Sequence, residues 1–233
     1  MTRAARRDGG PTVTMTVFLA GVLACVPPSD VSAVGFWESR ATSRGGIGQS
    51  IELKANGELS SSTTIIVDAL YRAADGKLFI AEGAKALSEA TDGAAFTVTK
   101  DLFVQGDGQG GEIRKERLGG EIEGTSPLVG SWRYRHYTGA IAFERYTEDG
   151  RVLFRLPMTS QQGCFGGAGD SLSLDLAGRK TTMRYTLAGD VLTLRSAEGR
   201  SYAYRRAEPW YPRDRIDYQP PTDDPSKPGP RSP

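Results

Sequence analysis

From Gly35 onward, apolar and polar residues alternate in short runs. In "DSLSLDL", Leu172, Leu174 and Leu176 fall on one side of the pleat, and Ser171, Ser173 and Asp175 fall on the other. A period of two with one apolar side predicts a half-buried antiparallel strand. The runs "SWRYRHY", "AIAFERY", "RVLFRLPM", "TTMRYTL", "DVLTLRS" and "SYAYRRA" also read as strands. Between them, Asp149-Gly150, Gly189-Asp190 and Glu198-Gly199 suit short hairpin turns, so consecutive strands are predicted to pair up and down. No helical period occurs in this half. In the first half, Ala84 to Ala90 within "GAKALSEATDG" can form one short helix.

The pattern is stated twice. Gly35-Phe36-Trp37 is matched by Gly130-Ser131-Trp132, "KANGEL" (54–59) by "TEDGRV" (147–152), and "DGKLFI" (75–80) by "GDSLSL" (169–174). The stretch 96–117 then parallels 184–206, so the landmarks keep one order across both halves. This predicts a duplication with units at 34–120 and 127–207. The linker is 121–126, with Pro127 interrupting any strand. The predicted fold class is all-β: two tandem small antiparallel up-and-down β-barrels.

A Gly-x-Trp on the opening strand, a meander of short strands and an Arg on the closing strand resemble the lipocalin and wider calycin pattern. Both units are shorter than typical lipocalins and closer to the small lipocalin-like domains of bacterial envelope proteins. The resemblance implies that an Arg packs across the Trp ring where first and last strands meet. It pairs Trp37 with Arg117, and Trp132 with Arg206 or Arg205. A guanidinium can stack on an indole face while its donors reach nearby carbonyls. Eight strands can be filled by their own side chains or hold one small ligand. Phe143, Phe154, Leu172, Leu174, Tyr185, Leu192 and Leu194 are large inward candidates and predict a packed interior. The resemblance therefore does not carry lipid transport with it, and binding is expected at rims or loops.

The two ends differ from the repeats. Arg3, Arg6 and Arg7 precede the uncharged run "MTVFLAGVLA" (15–24), which is too short to span a membrane and has the layout of a signal peptide over 1–24. The residues "VLAC" resemble a bacterial lipobox. That implies diacylation of Cys25, a membrane anchor through this lipid, residues 25–33 as a tether, and a location in the cell envelope. Cys25 and Cys164 are the only cysteines. Two other readings stand beside the lipid: an ordinary cleaved signal, or a disulfide from Cys25 to Cys164. At the other end, 208–233 holds eight of the thirteen prolines and almost no aliphatic residues, a composition that cannot bury enough surface to fold. Trp210 and Tyr211 could dock on the second unit or a partner, or stand exposed.

Charge and motifs narrow the function classes. With 29 basic against 28 acidic residues there is no electrostatic footprint for nucleic acid. "GDGQGG" (106–111) satisfies G-x-G-x-x-G, yet "EIRKERL" after it is too short for the helix that a dinucleotide site requires. The repeat places these glycines on a hairpin turn. Asp107 alone falls short of a calcium site. A thiol enzyme would need Cys164 activated by His136, the sole histidine, with no third group to orient it. No cofactor, metal or paired-carboxylate chemistry is predicted. What remains is a non-enzymatic binding role toward a small apolar ligand or an envelope protein, or inhibition of an extracytoplasmic enzyme.

Overall fold

A computed structural model describes residues 25–29, 32–119 and 125–210. The expected signal peptide at 1–24, most of the expected linker and the tail beyond Trp210 lie outside the described residues. The described chain is all-β, with strands β1 (Gly35–Ser39), β2 (Ile47–Leu53), β3 (Glu58–Ala74), β4 (Lys77–Ala81), β5 (Ala94–Val98), β6 (Leu102–Gly106) and β7 (Glu112–Leu118) from the first repeat. The second repeat supplies β8 (Gly130–Arg135), β9 (Ile141–Tyr146), β10 (Arg151–Ala168), β11 (Ser171–Leu176), β12 (Arg179–Ala188), β13 (Val191–Arg195) and β14 (Ser201–Ala207). The helix α1 (Ala84–Glu89) lies between β4 and β5 and has no counterpart in the second repeat. All neighbours pair antiparallel in sequence order, and β1 pairs with β14, so the fourteen strands close into one ring.

This ring corrects the expectation of two barrels following one another at 34–120 and 127–207. The ring does not divide at the linker, because β7 pairs directly with β8. It is crossed instead by β3 and β10, the two longest strands, which pair from Arg151 opposite Leu70 to Cys164 opposite Glu58. The crossing draws two eight-strand circuits, one of β1–β3 with β10–β14 and one of β3–β10. Each circuit takes strands from both repeats. A repeated sequence identifies equivalent strands, but it does not say from which copy a strand draws its partner.

Burial follows the two circuits. Trp37, Ile51, Leu53, Leu59, Phe165 and Leu192 belong to one buried cluster, and Ala69, Leu78, Phe103, Trp132, Tyr146 and Val152 to the other. Along β3 the buried positions run Leu59, Ser61, Thr64, Ile66, Ala69. Their parity switches twice, as a two-residue period requires when one strand serves first one core, then the junction, then the second core. On β10 the register shifts between Pro157 and Thr159, where proline has no N–H to give the ladder. Of the large residues expected to point inward, Leu172, Tyr185, Leu192 and Leu194 line the first core and Leu174 packs against it. Phe143 is buried outside both clusters, and Phe154 is only partly buried, 6.4 Å from the His136 ring.

The Trp and Arg residues stack, with partners exchanged relative to the resemblance. Arg206 lies 4.2 Å from the Trp37 ring centroid and Arg117 lies 4.1 Å from that of Trp132. Trp37 is therefore not Arg117's partner, nor Trp132 Arg206's, because β1 closes against β14 and β7 against β8. Each indole N–H donates to the carbonyl four residues earlier, Ala33 or Leu128, at 2.9 Å. Arg117 donates to the carbonyls of Lys100, Val129 and Pro127. The glycine of Gly35-Phe36-Trp37 has a steric cause: a Cβ at Gly35 would run into the Arg206 guanidinium.

The tether reading of 25–33 also changes. Cys25 forms a disulfide with Cys164, with Cα atoms 5.4 Å apart, well inside the range a bridge needs. Ser29 donates to the Gly167 carbonyl at 2.7 Å, Ser32 shares a hydrogen bond with the Tyr185 hydroxyl at 2.9 Å, and Pro28 and Ala33 are buried. Its described residues, 25–29 and 32–33, are docked along β10 and β12 rather than free. A thioether-linked lipid would need the same Sγ, which in this structure is bonded to Cys164. Protein kept from reductant is expected to bind no thiol-alkylating reagent when denatured, and to take up two equivalents after reduction, as its two cysteines require. Labelling of both thiols without reductant would show that the bond is absent.

Candidate functional site

Alternation on four strands builds a cleft between the two circuits. On β9, Ala142, Glu144 and Tyr146 are buried on the side of the second circuit's core, which turns Phe143 and Arg145 outward. On β1, Trp37 points into the first core, which leaves Phe36 and Glu38 on the outer face. On β14, Tyr204 points inward and Arg205 outward. With Leu153 and Arg155 of β10, these outer faces enclose a cleft of about 370 Å³.

Its floor is a chain of four alternating charges. Arg155 grips Glu38 with two donors, Nε to Oε1 at 2.5 Å and Nη2 to Oε2 at 2.9 Å. Its Nη1 lies 2.8 Å from Asp68 Oδ1 and donates to the carbonyls of Val67 and Phe154. Arg205 Nη2 bridges Asp68 Oδ2 at 2.7 Å and Glu38 Oε2 at 3.2 Å. Glu38 and Arg155 are 1% and 4% exposed, so neither charge has water to fall back on. The paired forks fix the planes of both groups and orient the two strands that carry them.

Asp68 is half-buried. Burial is the largest single influence and pulls its carboxyl upward, but Arg155 and Arg205 together outweigh it and hold the group below the ordinary aspartate value. The same two carboxylates push Arg205 upward against its own burial. A depressed folded value means that Asp68 stabilises the fold above its unfolded pKa, about 3.9, and that this is lost as pH falls through the lower folded value. The melting temperatures of the wild type and Asp68→Asn are therefore expected to differ at neutral pH and to converge below about pH 4. A gap that persists unchanged at low pH would place the effect in packing rather than charge.

The wall of the cleft is aromatic. Trp210 stands edge-on to Phe36 at 5.9 Å and tilted over Phe143 at 4.8 Å. Beside it, Arg145 Nη1 meets Glu208 Oε2 at 2.5 Å. An indole can stack here while an acid is read by the arginine and the floor keeps its own charges neutralised.

A second buried ion pair lies inside the second circuit. Lys115 Nζ contacts Glu144 Oε2 at 2.5 Å and Gln105 Oε1 at 2.8 Å, and the Tyr146 hydroxyl donates to the same carboxylate at 2.7 Å. The Phe103 ring centroid is 4.5 Å from the ammonium. Burial pulls Lys115 down against the pull of Glu144, and burial pushes Tyr146 well up. Every partner is satisfied within the core, and the arrangement reads as an internal strut.

Of the residues singled out in the sequence, Trp37 with Arg206 and Trp132 with Arg117 close the strand circuits, Arg206 also lines the cleft, and Cys25 is bonded to β10. Cys164 has its sulfur in the disulfide and His136 sits in the β8–β9 turn, so the thiol nucleophile is not available in this structure. The glycines at 106–111 form the β6–β7 hairpin turn, in which Asp107 accepts from the N–H groups of Gln109 and Gly111 at 2.8 Å. These backbone donors hold the Asp107 carboxyl below its ordinary value. Among the described residues no group of three His, Cys, Asp or Glu is placed to hold a metal ion, and no helix is long and apolar enough to cross a membrane.

Glu38, Asp68 and Arg155 went unnoticed in the sequence and Arg205 was weighed only as a cover for Trp132, although the sequence carries a signal for two of the four. Beside the shared Gly-x-Trp and closing Arg, the copies reverse charge: Glu38 and Arg205 in one circuit correspond to Arg133 and Glu116 in the other. Arg133 and Glu116 also pair, at 2.9 Å, but on an exposed surface. The buried network thus belongs to one side of the duplicated fold. No family model, curated protein or solved structure matches this chain.

Proposed function

We propose that this is an exported, non-enzymatic binding protein of the cell envelope, whose two eight-strand circuits are small lipocalin-like barrels and whose recognition site is the cleft between them. The single observation that carries the reading is the cleft itself: an aromatic wall and a neutralised, rigid ionic floor beside two cores filled with large side chains. Trp37, Trp132, Phe103 and Tyr146 are completely buried, which favours binding between the circuits over a cup within either one. Export is supported by the basic and apolar N-terminal segment and by the disulfide, a bond that persists in oxidising compartments. With the Cys25 sulfur bonded to Cys164, a cleaved signal before Cys25 accounts for the same residues as the lipobox does.

A protein partner is the reading the charged rim favours. A small ligand with an apolar ring is the second, since about 370 Å³ lies at the lower end of the range for small-molecule pockets. Native mass spectrometry of the protein released from cell envelopes tests both. A bound species lost on Leu153→Trp, which narrows the cleft, is expected under either reading, and its mass separates ligand from partner. A bound species unaffected by that substitution would move the site elsewhere. Metabolic labelling with an acyl chain should leave the protein unlabelled; label that disappears in Cys25→Ala would restore the lipid anchor.

A further inference from the structure

The three residues that follow β14 hold a position the sheet does not need. Both edges of β14 are already taken, by β13 and β1, and the ring is closed before Glu208. In the first repeat the corresponding strand β7 ends at Leu118 and runs on toward β8, so nothing in the repeat itself calls for an acid and an indole here. Yet Glu208 and Trp210 occupy both recognising features of the cleft at once. Glu208 meets Arg145, and Trp210 fills the space between Phe36 and Phe143, two rings on different circuits.

The contacts are of a kind that can be exchanged. Arg145 and Glu208 are 39% and 78% exposed, where water screens an ion pair to a fraction of its buried strength. Edge and tilted aromatic contacts add only modestly beyond the area they cover. What keeps the segment in place is its tether, which supplies a high effective concentration without demanding high affinity. A segment of this sort behaves as a resident ligand.

We propose that Glu208-Pro209-Trp210 is an internal stand-in for the partner of this cleft, and that the partner is a protein segment presenting an acidic side chain two residues before an aromatic one. The inference rests on the cleft being the recognition site. It makes the part of that site formed by Arg145, Phe36 and Phe143 self-occupied at rest, with the open volume of about 370 Å³ lying beside the segment. The proline between the two contacts fixes φ near −65° and keeps the segment extended, so that acid and ring are presented with little ordering cost.

The test uses an acetylated, fluorophore-labelled peptide Ala-Glu-Pro-Trp, the chain's own residues 207–210, against two proteins: the full chain and a chain ending at Ala207. Saturable binding to the shortened chain is expected, weaker by on the order of tenfold or more in the full chain, where the tethered copy competes. Should the shortened chain fail to fold, the full chain carrying Glu208→Ala and Trp210→Ala takes its place. Arg145→Glu in the emptied protein should abolish binding, and a peptide with Lys in place of Glu should restore it. Equal binding to the full chain, no binding to a folded emptied protein, or indifference to Arg145→Glu would each overturn the proposal. So would displacement of the peptide by N-acetyltryptophan at comparable concentration, which would make the cleft a small-molecule site, or a concentration-dependent dimer lost with the tail, which would place the segment in a second copy. These outcomes do not depend on any species recovered from cells, so they separate failure of this proposal from failure of the binding role.

Discussion

Arg155→Ala is expected to lower stability by about 3 to 5 kcal/mol, a fall in Tm on the order of 10 °C. Removing the guanidinium leaves Glu38 buried at 1% exposure with Arg205, itself 40% exposed, as its remaining cation at 3.2 Å. The loss comes mainly from the uncompensated carboxylate. Arg155→Met combined with Glu38→Gln is therefore expected to recover much of it, since a buried ion pair is often no more stable than an uncharged pair that packs as well. Urea unfolding of Arg155→Met, Glu38→Gln and the double closes the cycle, with Arg155→Ala measured beside it. A single variant within 1 kcal/mol of wild type would mean that water reaches Glu38 and that the floor of the cleft is open.

Trp132→Ala is the second large effect, about 3 to 5 kcal/mol for loss of a fully buried aromatic. The ring packs on Phe103 at 5.5 Å and under Arg117, and its N–H satisfies the Leu128 carbonyl, so the truncation opens a cavity and strips a stacked guanidinium of its platform. The form of the transition says more than its midpoint. Because β3 and β10 serve both cores, damage at Trp132 is expected to shift one cooperative transition. Melting of one half of the ring while the Trp37 half persists would indicate two independently folding barrels. Trp37→Ala, on the other circuit, should give the same single shift.

Much of the strand content was legible because alternation is a local property. "DSLSLDL" lies in a strand with Leu172 buried, and the Asp-Gly and Glu-Gly turns fall where hairpins close. The short helix at 84–89 was legible for the same reason, as a run of good helix formers between glycines. The site was less so. Glu38 stands beside a conspicuous tryptophan and Arg155 interrupts an apolar run, but charges on alternating strands read as solvated faces until their neighbours are known. Phe143 was assigned inward because it is large; it is buried, though by Trp210 across the cleft rather than by a barrel core.

By itself, the sequence determined the all-β class, the strand and turn positions, the duplication and the Trp and Arg residues that stack, since each depends on spacing within a few residues or on comparing one copy with the other. Tertiary structure decided which copy each strand joins, which arginine covers which tryptophan, where Cys25 finds its sulfur partner, and which charges become buried. Those are long-range choices between equivalent strands. Two similar copies offer nearly the same hydrogen bonds and the same apolar faces, so the difference lies in β3 and β10 running straight across the junction and carrying their neighbours with them.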